Sequence, residues 1–66
     1  MLLLVGKTED QERFVLTVKT GQKTFVLVRE TVAEIQRVVK DFDIKQVSLS
    51  PNLPGEDKSD IRRLFK

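Results

Sequence analysis

Apolar residues fall along this chain in short groups, and their spacing changes from one group to the next. Met1-Leu2-Leu3-Leu4-Val5 is an unbroken run that stops at Gly6, the pattern of a short strand buried on both faces. Lys7 to Glu12 is polar and reads as a loop. From Arg13 to Lys19 the rhythm becomes an imperfect alternation, with Phe14, Leu16 and Val18 on one parity and Val15 on the other. Thr20-Gly21-Gln22 interrupts it. A second β-rich run from Lys23 to Arg29 follows, containing Thr24-Phe25-Val26-Leu27-Val28. Two such runs around a glycine predict a β-hairpin.

The period then lengthens. Val32, Ile35, Val38, Val39 and Phe42 recur at helical spacing and form one apolar stripe. Thr31 precedes the stripe and Glu34 stands three residues on, the pairing of a capping box, so a helix should run from Thr31 to about Phe42 or Asp43. Ile44 to Ser50 returns to strand rhythm, with Val47 and Leu49 on one side and Gln46 and Ser48 on the other. Pro51 ends it, and Asn52-Leu53-Pro54-Gly55 is turn chemistry. Ser59 to Lys66 can form two helical turns capped by Asp57 or Ser59, with Ile61, Leu64 and Phe65 on one side; so short a helix forms only if that side docks. The expected fold is a small two-layer α+β domain of order β-β-β-α-β: a hairpin or meander, an amphipathic helix, a fourth strand and a short C-terminal helix. Residues 1–58 form the domain and residues 59–66 the helical tail. The fourth strand should run parallel to the third, and a place beside the first is open to it.

Size sharpens the picture. A chain of 66 residues is one domain, and a domain of this length hides only about 60% of its unfolded surface. There is neither cysteine nor histidine, so disulfides and zinc sites built on thiolate or imidazole are excluded. No apolar run approaches the roughly 18 residues of a membrane span. The apolar start is too short for a signal peptide and lacks a preceding basic residue, so a cytoplasmic protein is the default expectation. The chain is 39% apolar and 33% charged, a globular composition with a net charge of only +2. The helix can cover one face of the sheet. The strands at Leu2–Val5 and Phe25–Val28 are apolar on both parities, so the second face needs a lid. Either the C-terminal tail or a second subunit supplies it, which makes a homodimer an expectation of the sequence.

Candidate chemistry is sparse. Gly6-Lys7-Thr8 after a strand has the ending of a phosphate-binding loop, but the glycine that loop needs five residues earlier is Met1. The carboxylates group as Glu9, Asp10 and Glu12; Asp41 and Asp43; and Glu56, Asp57 and Asp60. All lie in expected loops or at helix ends, where water keeps both members of a pair ionised, and none follows the calcium-loop pattern. Asp57 and Asp60 suit a helix N-terminus. No serine or threonine has a histidine to activate it. No catalytic, cofactor-binding or metal-ligating residue is assigned, and the chain is read as no enzyme.

The hairpin carries one charge asymmetry. Residues 13–29 hold Arg13, Lys19, Lys23 and Arg29 and no acid. A three-residue loop would pair odd with odd positions. It would collect all four bases on one face with Val15, Thr17, Phe25 and Leu27, leaving Phe14, Leu16, Val18, Val26 and Val28 for the helix. A basic face with an aromatic can stack and neutralise single-stranded nucleic acid. A two-residue loop would pair odd with even positions and split the bases. The bases also serve, in either register, as charges that guard the hairpin against edge-to-edge pairing. In the tail, Arg62 and Arg63 stand beside Ile61, Leu64 and Phe65; this is either a docking peptide or a helix that closes the domain's own core. The reading is a small non-enzymatic protein-interaction or regulatory module, homodimeric, binding a macromolecule through its sheet face or tail. Its contact candidates are Lys19, Lys23, Phe25 and Arg29 on the hairpin and Arg62, Arg63 and Phe65 on the tail. The alternative is a nucleic-acid binder that uses the basic hairpin.

Overall fold

A computed structural model describes residues 1–65 and shows a four-stranded mixed sheet with both helices on one face, a small α+β fold. The elements are β1 (Leu2–Lys7), β2 (Phe14–Lys19), β3 (Thr24–Arg29), α1 (Val32–Asp41), β4 (Gln46–Leu49) and α2 (Gly55–Arg63). The strand order is β3-β2-β1-β4. The first three strands form an antiparallel meander, and α1 carries the chain across the sheet so that β4 pairs in parallel with β1. The fourth strand therefore takes the place beside the first, at the opposite edge from the third.

Side-chain alternation sorts the sheet into two faces. Leu3, Val5, Phe14, Leu16 and Val18 point to the helices and are buried, together with Ile35 and Val38 of α1, Ile44, Leu53 and Ile61 of α2. The stripe of α1 thus packs as its spacing predicts. Leu53 is a core residue inside the Asn52–Gly55 turn, where turn chemistry masked it.

Both ends of α1 are closed by local hydrogen bonds. The Glu34 backbone N–H donates to Thr31 Oγ1 at 3.2 Å, and Glu34 Oε1 accepts from the Thr31 N–H at 3.1 Å. This completes the capping box. At the other end the Asp43 N–H donates to the Lys40 carbonyl (3.2 Å) and the Ile44 N–H to the Val39 carbonyl (3.0 Å), a Schellman arrangement. Asp43 holds the left-handed position, φ 52°, which glycine normally takes.

The tail differs from its sequence reading in two respects. Helix α2 begins at Gly55, not Ser59, and its N-cap is Pro54, which offers no side-chain bond. Asp57 lies in its first turn and turns inward, where Oδ2 meets Lys7 Nζ at 2.7 Å. Lys7 belongs to β1 on the helix face and also lies 4.8 Å from the Phe14 ring centroid, a cation–π contact. Of the places open to the tail, the far sheet face and the domain's own core, it takes the core. Ile61 is fully buried in the same cluster as Leu3 and Ile35, so α2 joins α1 instead of covering the far side. The tail's last residue, Lys66, lies outside the described residues.

Candidate interaction surface

The far face of the sheet is open. Its residues follow from the register: Leu2, Leu4 and Gly6 on β1, Val15, Thr17 and Lys19 on β2, Thr24, Val26 and Val28 on β3, and Gln46 and Ser48 on β4. Among the described residues none packs over them. Strand β1, expected to be buried on both sides, is buried only at Leu3 and Val5 and remains partly accessible at Leu2 and Leu4. Val26 and Val28 are the most exposed apolar side chains within the strands, at 63% and 46%. Lys19 is the single charge among these strand residues.

One residue of loop length decided this distribution. The Thr20 N–H donates to the Lys23 carbonyl at 2.9 Å, so the loop is the two residues Gly21-Gln22. Pairs run Lys19↔Thr24, Val18↔Phe25 and Phe14↔Arg29, odd with even. Thr20 Oγ1 stabilises the turn by accepting from the Lys23 N–H at 2.9 Å. Relative to a three-residue loop, β3 is flipped: Phe25 and Leu27 go to the helix side, and Val26 and Val28 go to the open side.

The candidate contact residues are consequently dispersed. Lys19 is on the open face at one end of β2, and Lys23 is in the turn beside it. Phe25 faces the helices and packs on Phe42, ring centroids 6.0 Å apart. Arg29 shares Phe25's side at the far end of β3 and folds back so that Nη1 donates to the Val28 carbonyl at 2.7 Å. The basic, aromatic-bearing platform requires the other register, and these bases do not share a face. Arg62 and Arg63 are exposed on α2, with Arg63 paired to Asp60 within the helix at 3.3 Å. Phe65 is half-buried against the core.

The open face has relief. Gly6 bears no side chain, and around it Leu4, Val15, Thr17, Ser48, Ser50 and Pro51 surround a shallow, mostly apolar depression of about 350 Å³. A methyl group placed on Gly6 would meet Ser50 Cβ at 3.5 Å and Asn52 Oδ1 at 3.6 Å, ordinary van der Waals contact, so these two side chains flank the glycine closely. The spacing of apolar residues shows that a second face exists; a notch in it depends on which residues the register brings beside Gly6.

The loops hold the carboxylates in simple roles. The Thr8 hydroxyl and then the Glu12 N–H donate to Asp10, which holds its carboxyl below the ordinary value of 3.8. These bonds, with Gln11 at φ 62°, shape the β1–β2 loop. Glu34 is likewise held below 4.5, first by the Glu30 N–H and then by Thr31. Among the described residues no group of three His, Cys, Asp or Glu side chains converges as a metal site, and no helix is long and apolar enough to cross a membrane. Comparison of the chain with protein-family models, with curated proteins and with solved structures found no match.

Proposed function

We propose that the chain is a non-enzymatic interaction module that docks a macromolecular partner on its open sheet face. The observation that supports this reading most is the position of α2. The one element with material to spare lies on the same face as α1, with Ile61 fully buried there. The opposite face keeps Leu2, Leu4 and Val15 partly accessible and Val26 and Val28 exposed, with no other element among the described residues lying over them. Contiguous apolar surface of a few hundred Å² rimmed by polar side chains is the usual mark of an interface. The rim here is Lys19, Thr24, Gln46 and Ser48.

The position of α2 also favours the sheet over the tail as the contact. Residues that close the core are not free to leave it, and Ile61, Leu64 and Phe65 all pack against it.

A photo-cross-linking amino acid placed at Val26 tests the reading in the living cell, with the same group at Gln36 on the exposed side of α1 as its control. Adducts from position 26 and none from position 36 are expected. Equal yields from the two positions, or none from either, refute docking on the sheet.

A further inference from the structure

The sheet ends in two unlike edges, β4 with four residues and β3 with six. Natural sheets guard a long edge with proline, a bulge or a charge in mid-strand. Strand β3 has none of these: it reads Thr24-Phe25-Val26-Leu27-Val28-Arg29 and pairs one to one with β2 throughout. The register tells which backbone groups it leaves over. In an antiparallel pair alternate residues exchange both backbone bonds, and the residues between them turn theirs outward. The bond from the Thr20 N–H to the Lys23 carbonyl fixes the phase. Phe25, Leu27 and Arg29 therefore bond to β2, while Thr24, Val26 and Val28 each present an N–H and a carbonyl to the free edge. Among the described residues one of these groups has a partner, the Val28 carbonyl, which accepts from Arg29 Nη1 at 2.7 Å. The guanidinium is a removable cover on an otherwise bare ladder.

Charge narrows the occupant of this edge. Lys23 and Arg29 stand at its two ends, and residues 13–29 hold no acid. An antiparallel second copy engages all three outward residues only in the register centred on Val26. That register sets Lys23 of each copy opposite Arg29 of the other, and like charges so placed oppose pairing. The registers on either side would call on the N–H of Gln22 or of Glu30, already bonded to Thr20 Oγ1 and Glu34 Oε1. A strand with an acid at each of the two places meets the opposite sign at both. Glu34 already lies in the field of Arg29, so the Lys23 end, with Lys19 beside it, contributes more of the selection.

We propose that the β3 edge adds an extended, antiparallel segment of another protein, apolar opposite Thr24 to Val28 and acidic opposite Lys23 and Arg29. Main-chain bonds to Thr24, Val26 and Val28 supply the affinity, as in strand addition generally. Arg29 leaves the Val28 carbonyl and takes the incoming carboxylate, a charge-assisted bond. Alternate side chains of the segment lie beside Val26 and Val28 on the open face. The others lie beside Phe25, which packs on Phe42 at that margin. The recognition uses backbone groups of an edge and so goes beyond docking on the face.

A blocked synthetic peptide, glutamate–valine–threonine–valine–threonine–valine–glutamate, is the probe. It sets its valines opposite Thr24, Val26 and Val28 and its glutamates opposite Lys23 and Arg29. Added at about 1 mM to the isotope-labelled whole chain, it should slow amide exchange at Thr24, Val26 and Val28 at least about threefold. Phe25 and Leu27, already bonded to β2, should change far less. Lysine at both ends of the peptide should weaken binding at least about tenfold. So should an N-methyl group on its central valine, which removes the N–H meant for the Val26 carbonyl. Lys23→Glu should abolish the preference for glutamate ends, with its fold checked by far-UV circular dichroism; the modified peptides carry the test on the wild type alone. No slowing at Val26, or slowing along β3 without alternation, overturns the proposal. The same alternate pattern in the chain alone, growing with its concentration, also overturns it and identifies a second copy as the occupant. Changes confined to Leu4, Val15 and Thr17 mean that the face binds and the edge does not.

Discussion

Removing the buried end of α2 should come close to unfolding the molecule. Ile61 is completely inaccessible and shares one cluster with Leu3, Val5, Leu16 and Ile35. Truncating such a residue to alanine removes its transfer free energy and leaves a cavity, together about 2–5 kcal/mol. The total from which this is subtracted is small. At 0.05–0.15 kcal/mol per residue, a chain of 66 residues has a stability of about 3–10 kcal/mol. Ile61→Ala should therefore cost about 3 kcal/mol, a third of the total or more. The chain has no tryptophan or tyrosine, so urea unfolding is followed by far-UV circular dichroism. With a slope near 1 kcal/mol per molar, typical of small domains, the midpoint should fall by about 3 M. Ile61→Val should fall by about 1 M, and Arg62→Ala, on the exposed side of the same helix, by less than about 0.5 M. Dilute protein keeps self-association from adding concentration-dependent stability. Truncation after Asp57 should abolish the cooperative transition. A midpoint for Ile61→Ala within about 0.5 M of wild type, or a truncated chain that still unfolds cooperatively, would refute the placement of α2 in the core.

Other contacts give smaller, separable effects. Asp57→Ala leaves Lys7 without its partner, and because both side chains keep some water, 13% and 19% exposed, the loss in urea titrations should be about 1–2 kcal/mol, below that of a fully buried pair. Asp43→Gly relieves the left-handed φ of 52° at the end of α1 and should raise stability by about 0.5–1 kcal/mol; a lower midpoint would show that the aspartate contributes there. Glu34 binds its proton less readily folded than unfolded, so its contribution is complete above its ordinary value of 4.5 and is lost as pH falls through the lower folded value. Thermal melts between neutral and acidic pH should accordingly show a smaller acid loss in Glu34→Gln than in wild type, and equal losses would contradict the capping role. Asn52 spans the edge of β1 with its side-chain amide, Nδ2 donating to the Lys7 carbonyl at 3.0 Å and Oδ1 accepting from the Lys7 N–H at 3.4 Å; Asn52→Ala should cost about 1 kcal/mol in the same urea assay.

Local devices were legible in the order of residues, because each acts within a few positions along the chain. Thr31 and Glu34 announce the start of α1 through bonds three residues apart. The alternation of Phe14, Leu16 and Val18 marks a core face, and the apolar stripe from Val32 to Phe42 marks the helix side that meets it. The surplus of apolar side chains over covering material, which is the basis of the interaction surface, is also a matter of composition and spacing. Tertiary structure decided where that surplus lies. Whether Phe25 or Val26 faces the helices hangs on the count of residues between Thr20 and Lys23, since strands alternate with a period of two and one residue more or less inverts the whole of β3. Leu53 and Ile61 become core residues by joining one buried cluster with Leu3 and Val5, distant in sequence, and no local pattern encodes that association. The recess beside Gly6 arises because pairing sets Ser48 of β4, the Ser50 that follows that strand, and Val15 of β2 around a residue with no side chain.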